Sequence, residues 1–230
     1  MSEIRKLASA VLISALFLPM FFAFATAPPP EKIVFVHYKM GAGKPSTDKG
    51  YYKLLGAKWK VLPVTYVIDP DNPYGLSDMF VVNSVVASAE EWDFHTSAEL
   101  FSSYSIVYDA SWDDDAPDGR NEIVFGDYKE ANVIAVTVIW GYFSGRNKQI
   151  VEFDVLFDVD FTWGDAAEDP TKMDLRNIAT HELGHGVGLG DLYNPAAWRE
   201  TMYGYSDYGE TIKRDLYVGD ISGIQKLYGE

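Results

Sequence analysis

One short motif constrains this chain more than any other feature, because it spaces metal-binding side chains at helical intervals. His181 and His185 are four residues apart, so on a helix both imidazoles lie on one face and can hold one zinc ion. Glu182 follows the first histidine and can reach a water on that zinc. Gly188 predicts a left-handed turn that ends the helix and brings Asp191 back toward the metal.

Two exposed histidines on an ordinary surface helix are the competing interpretation of a bare H-E-x-x-H pattern. Gly184 and Gly186 lie inside the predicted helix, where each glycine costs about 1 kcal/mol relative to alanine. A helix with a purely structural role has no reason to carry both of them. The motif therefore predicts a zinc site with the two histidines and Asp191 as ligands and Glu182 as the catalytic general base.

The beginning of the chain has the pattern of an export signal. Arg5 and Lys6 precede an uncharged run over 7–27, and small residues at its end predict cleavage after Ala25. This pattern predicts a secreted, extracellular protein with residues 1–27 as signal peptide. An uncleaved anchor that holds the protein to a membrane is the alternative, because the uncharged run is long enough to span a bilayer.

Residues 28–50 are expected to form a linker or a short pro-segment, followed by one folded domain over 51–230. The run 33–36 predicts one short strand within the first of these segments, and His37 after it is expected to be an ordinary surface histidine. We place the start of the domain near Tyr51, because the stretch rich in proline and glycine ends at Gly50.

Charge and cysteine content narrow the possible partners and regulation. The net charge of −15 argues against nucleic acid and anionic membrane surfaces as partners. A monomer is expected. The chain has no cysteine, which excludes disulfides and thiol chemistry. Any inhibition of the zinc site by the N-terminal segment would then use a carboxylate, a carbonyl or steric cover.

Runs rich in β-branched and aromatic residues predict five strands, which are followed by a helix near the end of the chain. Ser77 is the expected N-cap of an earlier helix whose apolar positions recur at helical spacing. The final helix is expected over 220–228. The predicted strands cover residues 62–68, 105–108, 121–126, 133–140 and 150–161.

Two groups of carboxylates are candidates for calcium. One lies in an aspartate-rich turn, and the other lies on the predicted strand 150–161, where carboxylates alternate along one face. The alternatives are a solvated loop for the first group and a solvated edge face for the second. The candidate calcium ligands are Asp113, Asp114, Asp115, Asp118, Asp154 and Asp158.

From about Tyr51 to its end the chain resembles metzincin metallopeptidases, most closely the matrixin and snapalysin-like branches. The zinc motif matches their extended motif, with Asp191 where most metzincins have a third histidine, as in snapalysin-type enzymes. Met202 in Thr-Met-Tyr-Gly-Tyr resembles the methionine of the Met-turn, which is structural, and residues 220–229 resemble the matrixin C-terminal helix.

The resemblance implies an α+β fold and a peptidase activity. The expected fold is a twisted, mixed five-stranded sheet with two long helices, then a small irregular C-terminal subdomain that ends in a helix. The implied function is zinc-dependent endopeptidase activity, with substrate extended along the edge strand 133–140 and with Tyr203 and Tyr205 as candidate transition-state or pocket residues. The alternative is a secreted metal-binding or adhesion domain of the same fold without turnover.

Overall fold

A computed structural model describes residues 28–42 and 50–230, so the expected export signal at 1–27 lies outside the described residues. No helix in the described part of the chain is long and apolar enough to cross a membrane. The chain forms a mixed sheet, a pair of long helices and an irregular C-terminal region that ends in a third helix. This is the α+β architecture that the sequence predicts.

In chain order the strands of the described residues are β1 Glu31–Lys39, β2 Val64–Ile68, β3 Phe101–Ile106, β4 Glu122–Gly126, β5 Val133–Tyr142, β6 Gln149–Asp158, β7 Trp163–Gly164, β8 Met173–Asp174 and β9 Tyr205–Ser206. Seven of them form the main sheet in the order β3-β2-β4-β6-β5-β1-β9. The two remaining short strands, β7 and β8, pair with one another.

The five predicted strands are present as β2 to β6, with shifted ends. β3 begins at Phe101, earlier than predicted, because that phenylalanine is buried and anchors the strand in the core. β6 ends at Asp158 rather than at residue 161. Two further strands, β1 and β9, join the sheet beyond β5 and raise its number of strands from five to seven.

Helix α1, Asp78–Phe94, begins where the sequence predicts. The Ser77 hydroxyl accepts a hydrogen bond from the Phe80 amide at 3.2 Å, which satisfies one of the free amides of the first turn. Trp92 is fully buried, and its Nε1 donates to the Thr180 carbonyl at 2.8 Å. This hydrogen bond joins α1 to helix α2, Leu175–Gly186, which also packs on β5 and β6 and carries the zinc motif.

The irregular region after α2 contains two short 3-10 turns, Pro195–Ala197 and Ile212–Arg214, and ends in helix α3, Val218–Tyr228. Asp220 connects α3 to the segment around Met202, because its carboxylate accepts hydrogen bonds from the Thr201 amide at 2.6 Å and the Met202 amide at 3.1 Å. The backbone beneath the predicted zinc site is therefore fixed by a buried carboxylate.

The carboxylates of β6 do not form a solvated edge face, and that interpretation is wrong. β6 lies between β4 and β5 in the interior of the sheet, and Glu152, Asp154 and Asp158 are all 0–1% exposed. Alternation along a strand shows which residues share a face, but the position of the strand in the sheet decides whether that face meets water.

The predicted substrate strand at 133–140 is present as β5, but it is not an edge strand in this structure. β1 pairs with it antiparallel over its length, with Phe35 opposite Thr137 and His37 opposite Ala135. The strand expected at 33–36 is therefore longer than predicted, Glu31–Lys39, and part of the main sheet. His37 is fully buried, so its assignment as a surface histidine is wrong.

Candidate metal centre

Helix α2 and the turn after it position the predicted ligands. Asp174 caps the helix by accepting from the Asn177 amide at 2.8 Å. The helix ends at Gly186, and Gly188 follows with a φ of 103°, a left-handed conformation that glycine adopts without steric cost. The chain turns there and returns Asp191 to the helix face that carries both histidines.

The three predicted ligand atoms converge on one point. His181 Nε2 lies 3.1 Å from His185 Nε2, and Asp191 Oδ1 lies 3.2 Å and 3.4 Å from those two nitrogens. Ligands at ~2.0–2.1 Å from a tetrahedral zinc ion are separated by about 3.3 Å. The three atoms thus have the spacing of three corners of a zinc coordination tetrahedron.

The hydrogen bonds of the two imidazoles leave their lone pairs facing that point. His181 Nδ1 lies 2.7 Å from the Thr201 carbonyl oxygen, and His185 Nδ1 lies 2.9 Å from that of Leu189. A carbonyl only accepts, so each Nδ1 carries a proton, and Nε2 is the nitrogen of each ring that faces the common point. Asp191 Oδ1 is buried and accepts no hydrogen bond from a described residue.

A divalent cation fits this donor set. Two imidazole nitrogens and one carboxylate oxygen are ligands that zinc takes, and three protein ligands leave a fourth position open, as in catalytic zinc sites. Tyr193 supports the third ligand, because its hydroxyl donates to Asp191 Oδ2 at 2.8 Å and leaves Oδ1 aimed at the histidines.

Glu182 is fully buried beside the ligands and both of its carboxylate oxygens have partners. Thr137 of β5 donates to Oε2 at 2.5 Å, and His37 Nδ1 lies 3.2 Å from Oε1. Burial alone would raise the pKa of Glu182. The hydrogen bond with His37 and the nearby imidazoles of His181 and His185 outweigh burial, so the pKa of Glu182 lies below its ordinary value. The carboxylate is therefore ionised and able to accept a proton.

Strand β1 covers the centre with two side chains. The Phe35 ring stacks on the His185 ring with centroids 4.0 Å apart and planes 6° from parallel. The His37 ring meets the His181 ring edge to face, also at 4.0 Å. The two ligand histidines are 0% exposed as a result of this cover and the packing of α2.

His37 is held in its place by a chain of hydrogen bonds. Its Nε2 lies 3.0 Å from Ser206 Oγ, which in turn accepts from the buried Lys213 Nζ at 2.8 Å. Burial and, to a smaller extent, the nearby His181 lower the pKa of His37 to about 3, so the His37 ring is neutral. Its Nδ1–H then donates to Glu182.

Met202 and the two predicted tyrosines lie in the wall below the centre. Met202 is fully buried, and Tyr203 and Tyr205 are nearly so, with their rings 5.5 Å apart. Tyr205 also packs on Tyr193, the residue that holds Asp191, at 5.3 Å. The roles of Tyr203 and Tyr205 as pocket or transition-state residues stay predictions.

Three of the six candidate calcium ligands lie in two groups of described carboxylates, and Asp114, Asp115 and Asp154 lie in neither group. Asp113 and Asp118 come together with Glu122, while Asp158 lies with Asp127 and Asp160. Buried oxygens without a hydrogen-bond partner occur at Glu122 Oε2, Asp154 Oδ2 and Asp158 Oδ2.

Only part of the aspartate-rich turn belongs to the first of these groups. Asp114 and Asp115 are exposed and belong to neither group of described residues. Arg120 pairs with Glu122 and neutralises part of the first group.

Three residues of the centre lack any motif in the sequence. Thr137, Tyr193 and His37 contact Glu182 or Asp191, yet each comes from a different segment of the chain. His37 carried one usable signal, because it is one of only four histidines and follows a predicted strand.

Comparisons with known proteins find similar sequences over much of the chain. Residues 123–229 match the family model described as Matrixin. The chain is 27% identical to matrix metalloproteinase-16 of Rattus norvegicus over 190 residues, which are 82% of this chain and 30% of that protein. It is 40% identical to human matrilysin over 77 residues, or 34% of this chain and 27% of that protein.

A further relative matches nearly the whole chain. Human neutrophil collagenase is 27% identical over 215 residues, which are 89% of this chain and 40% of that protein. The chain thus spans two-fifths or less of the length of these relatives. The fold and these matches together support a metzincin-like, matrixin-like catalytic domain.

Proposed function

We propose that this protein is a secreted zinc metalloendopeptidase. The observation that carries the proposal is the convergence of His181 Nε2, His185 Nε2 and Asp191 Oδ1 at mutual distances of 3.1–3.4 Å beside the ionised Glu182. Secretion follows from the signal-like residues 1–27, with anchorage to a membrane by the same segment as the alternative.

The residues have separate tasks in peptide hydrolysis. His181, His185 and Asp191 would hold a zinc ion, which would supply a Lewis acid for the scissile carbonyl and would lower the pKa of a bound water toward about 7. Glu182 accepts the proton of the attacking water and returns it to the leaving amine nitrogen. Thr137 orients Glu182 by donating to one carboxylate oxygen, and the other oxygen, which is paired with His37 in this structure, is the one for this proton transfer.

The substrate would bind as an extended peptide along the side of β5 that β1 covers in this structure. Backbone pairing with a strand fixes the path of the peptide and places a carbonyl near the metal, while specificity comes from side-chain pockets. The peptide path has β5 on one side and the backbone of residues 204–206 on the other. This backbone follows Met202 and includes strand β9. A protein chain in extended form is thus the class of substrate that the cleft fits.

The test is a metal-dependence assay on an unfolded protein substrate. The purified chain is stripped with a chelator, reloaded with one equivalent of zinc and incubated with dye-labelled casein, and new N-termini are identified by mass spectrometry. Cleavage is expected only in the reloaded sample. Because β1 covers the centre, the Phe35→Ala/His37→Ala variant is assayed beside the parent. Absence of zinc-restored cleavage in both proteins contradicts the proposal.

A further inference from the structure

The main sheet ends on one side in an open edge, which is strand β3. β3 pairs in parallel with β2, and no strand of the described residues pairs with its other side. Residues 103–106 are all exposed along this edge. An open edge presents a row of unpaired amides and carbonyls, to which an extended chain can be added as a further strand. The opposite edge of the sheet, β9, is only two residues long.

A groove of about 470 Å³ lies between this edge and helix α1. The buried Tyr66 and Phe101 rings line it and pack edge to face with centroids 5.8 Å apart. Tyr104 packs on Tyr66 at 6.0 Å and is 43% exposed, so its ring forms a wall that meets solvent. Because residues 101–104 of β3 belong to the lining, alternate side chains of a strand added to the edge would lie over the groove.

Three carboxylates of the groove have no cation beside them. Glu90 and Asp93 are three residues apart on α1, hence on one face of the helix, and Glu99 precedes β3. The ion pairs found among the described residues all involve other carboxylates. Burial raises the pKa of Asp93 above its ordinary value, and the charges of Glu99 and Glu90 add to this effect. The groove therefore carries uncompensated negative charge.

This charge decides which occupant fits the edge. A second copy of the chain would bring the same three carboxylates to the contact, and two molecules with a net charge of −15 repel one another. An extended segment with lysine or arginine at alternate positions has its basic side chains on one face, about 7 Å apart, where they reach the carboxylates. A cation above the Tyr104 ring is also attracted by the face of that ring.

We propose that the open edge of β3 and the acidic groove beside it bind a basic, extended segment of a protein partner. Backbone hydrogen bonds to β3 fix the path of the segment, and the three carboxylates select its basic side chains. Three strands separate β3 from β5, so this surface lies about 19 Å from the proposed substrate path. It is a separate site, and the proposal holds whether or not the chain is a peptidase.

The first measurement is the binding of a short, labelled peptide of alternating lysine and threonine, read by fluorescence anisotropy. The full chain carries Glu182→Gln, which removes the proposed general base and keeps the probe intact. The lysine peptide should bind, and its affinity should fall as salt is added, because salt screens exposed charges. A peptide of alternating glutamate and threonine should not bind.

The second measurement repeats this titration with Glu90→Gln/Glu99→Gln at physiological salt. Both positions are exposed, and affinity for the lysine peptide should fall by roughly 2- to 30-fold, the range expected for the loss of two exposed ion pairs. Asp114→Asn/Glu168→Gln is the matched control. It makes the same change of net charge at two exposed positions outside the groove and should leave the affinity at the parent level.

The third measurement tests the pairing of the peptide with β3. A peptide with the same side chains and N-methylated backbone amides retains the charges but cannot donate to the edge, so it should bind roughly 10-fold or more weakly. Hydrogen exchange read by mass spectrometry gives the location. The lysine peptide should slow exchange in residues 101–106 and leave the metal centre unchanged.

Failure of the lysine peptide to bind overturns the inference. Equal weakening by the control variant, or slowed exchange at the metal centre instead of at β3, also overturns it, because the general negative charge of the chain would then be the cause. Undiminished binding of the N-methylated peptide contradicts strand addition. None of these readouts depends on turnover, so failure of the proposed peptidase function would leave the results for this surface standing.

Discussion

Gly184 lies directly against Met202, so closely that a Cβ at position 184 would overlap the Met202 sulfur. The same Cβ would also come within 2.6 Å of the Trp92 ring of α1. The glycine in the middle of the zinc helix is therefore explained by close packing of three elements, the two long helices and the Met-turn.

This packing predicts that Gly184→Ala destabilises the protein although alanine favours helix. The gain in helix propensity is about 1 kcal/mol, whereas overpacking of a close contact costs about 1–3 kcal/mol. A net loss in the free energy of unfolding is expected in a denaturant titration. Gly190→Ala is the control, because the nearest atoms to its added Cβ are 3.4–3.6 Å away on the flexible Lys53 side chain.

Glu182→Gln should separate metal binding from turnover. The amide is nearly isosteric but cannot accept a proton, and a positioned base contributes about 10²–10⁴-fold in rate. We expect one zinc per chain and a loss of that size in casein cleavage, measured in the Phe35→Ala/His37→Ala background. Glu168→Gln, at an exposed position, serves as the control. Cleavage at the background rate would remove Glu182 from the mechanism.

Tyr193→Phe should weaken the metal centre without removing a ligand. Its hydroxyl donates to Asp191 Oδ2 at 2.8 Å, and loss of such support around a ligand lowers metal affinity by about 10–100-fold. Competition with a zinc-binding dye measures the change. Tyr208→Phe is the matched control, since that ring packs on Phe161 outside the ligand set. Asp191→Ala should show a larger loss, and full zinc occupancy in that variant contradicts its role as ligand.

Calcium binding is predicted at the carboxylates around Asp154. The pKa of Asp154 is raised to about 9. Burial is the main cause, and the negative charges of Glu152, Asp113 and Asp118 add to it. The carboxyl group is thus protonated at neutral pH without a cation, and calcium has to displace that proton. We therefore expect calcium affinity to increase as the pH rises toward 9.

The sign of the stability effect follows from the same pKa. Because the folded pKa lies above the unfolded value, the contribution of Asp154 in calcium-free protein is fully present below about pH 4 and is lost as the pH rises through about 9. Calcium at 100 times its Kd adds about 2.7 kcal/mol. Melting curves with calcium or chelator at pH 6 and 8.5 test this. Asp154→Asn should abolish the effect, and Asp114→Asn at an exposed position should not.

What the sequence predicts well in this protein is local. His181, Glu182, His185 and Asp191 come together because a helix and a glycine turn fix their relative positions within one short stretch. The cap at Ser77 and the strands β2 to β6 are local patterns of the same kind.

The features that the sequence did not predict depend on strand pairing over long distances. The partner and register of β1 follow from contacts with residues about a hundred positions away, so the burial of His37 could not be read from its neighbours. The same holds for β6, whose carboxylates are buried because of strand order.

Occupation of β5 by β1 has a consequence for the lifetime of the molecule in solution. A strand without a neighbour presents a row of free amides and carbonyls that recruits strands of other molecules. Withdrawal of β1 would create such a row on β5, open to substrates and to further copies of this protein alike. With β1 in place β5 is protected from self-association, and a chain without β1 should aggregate far sooner than the intact chain.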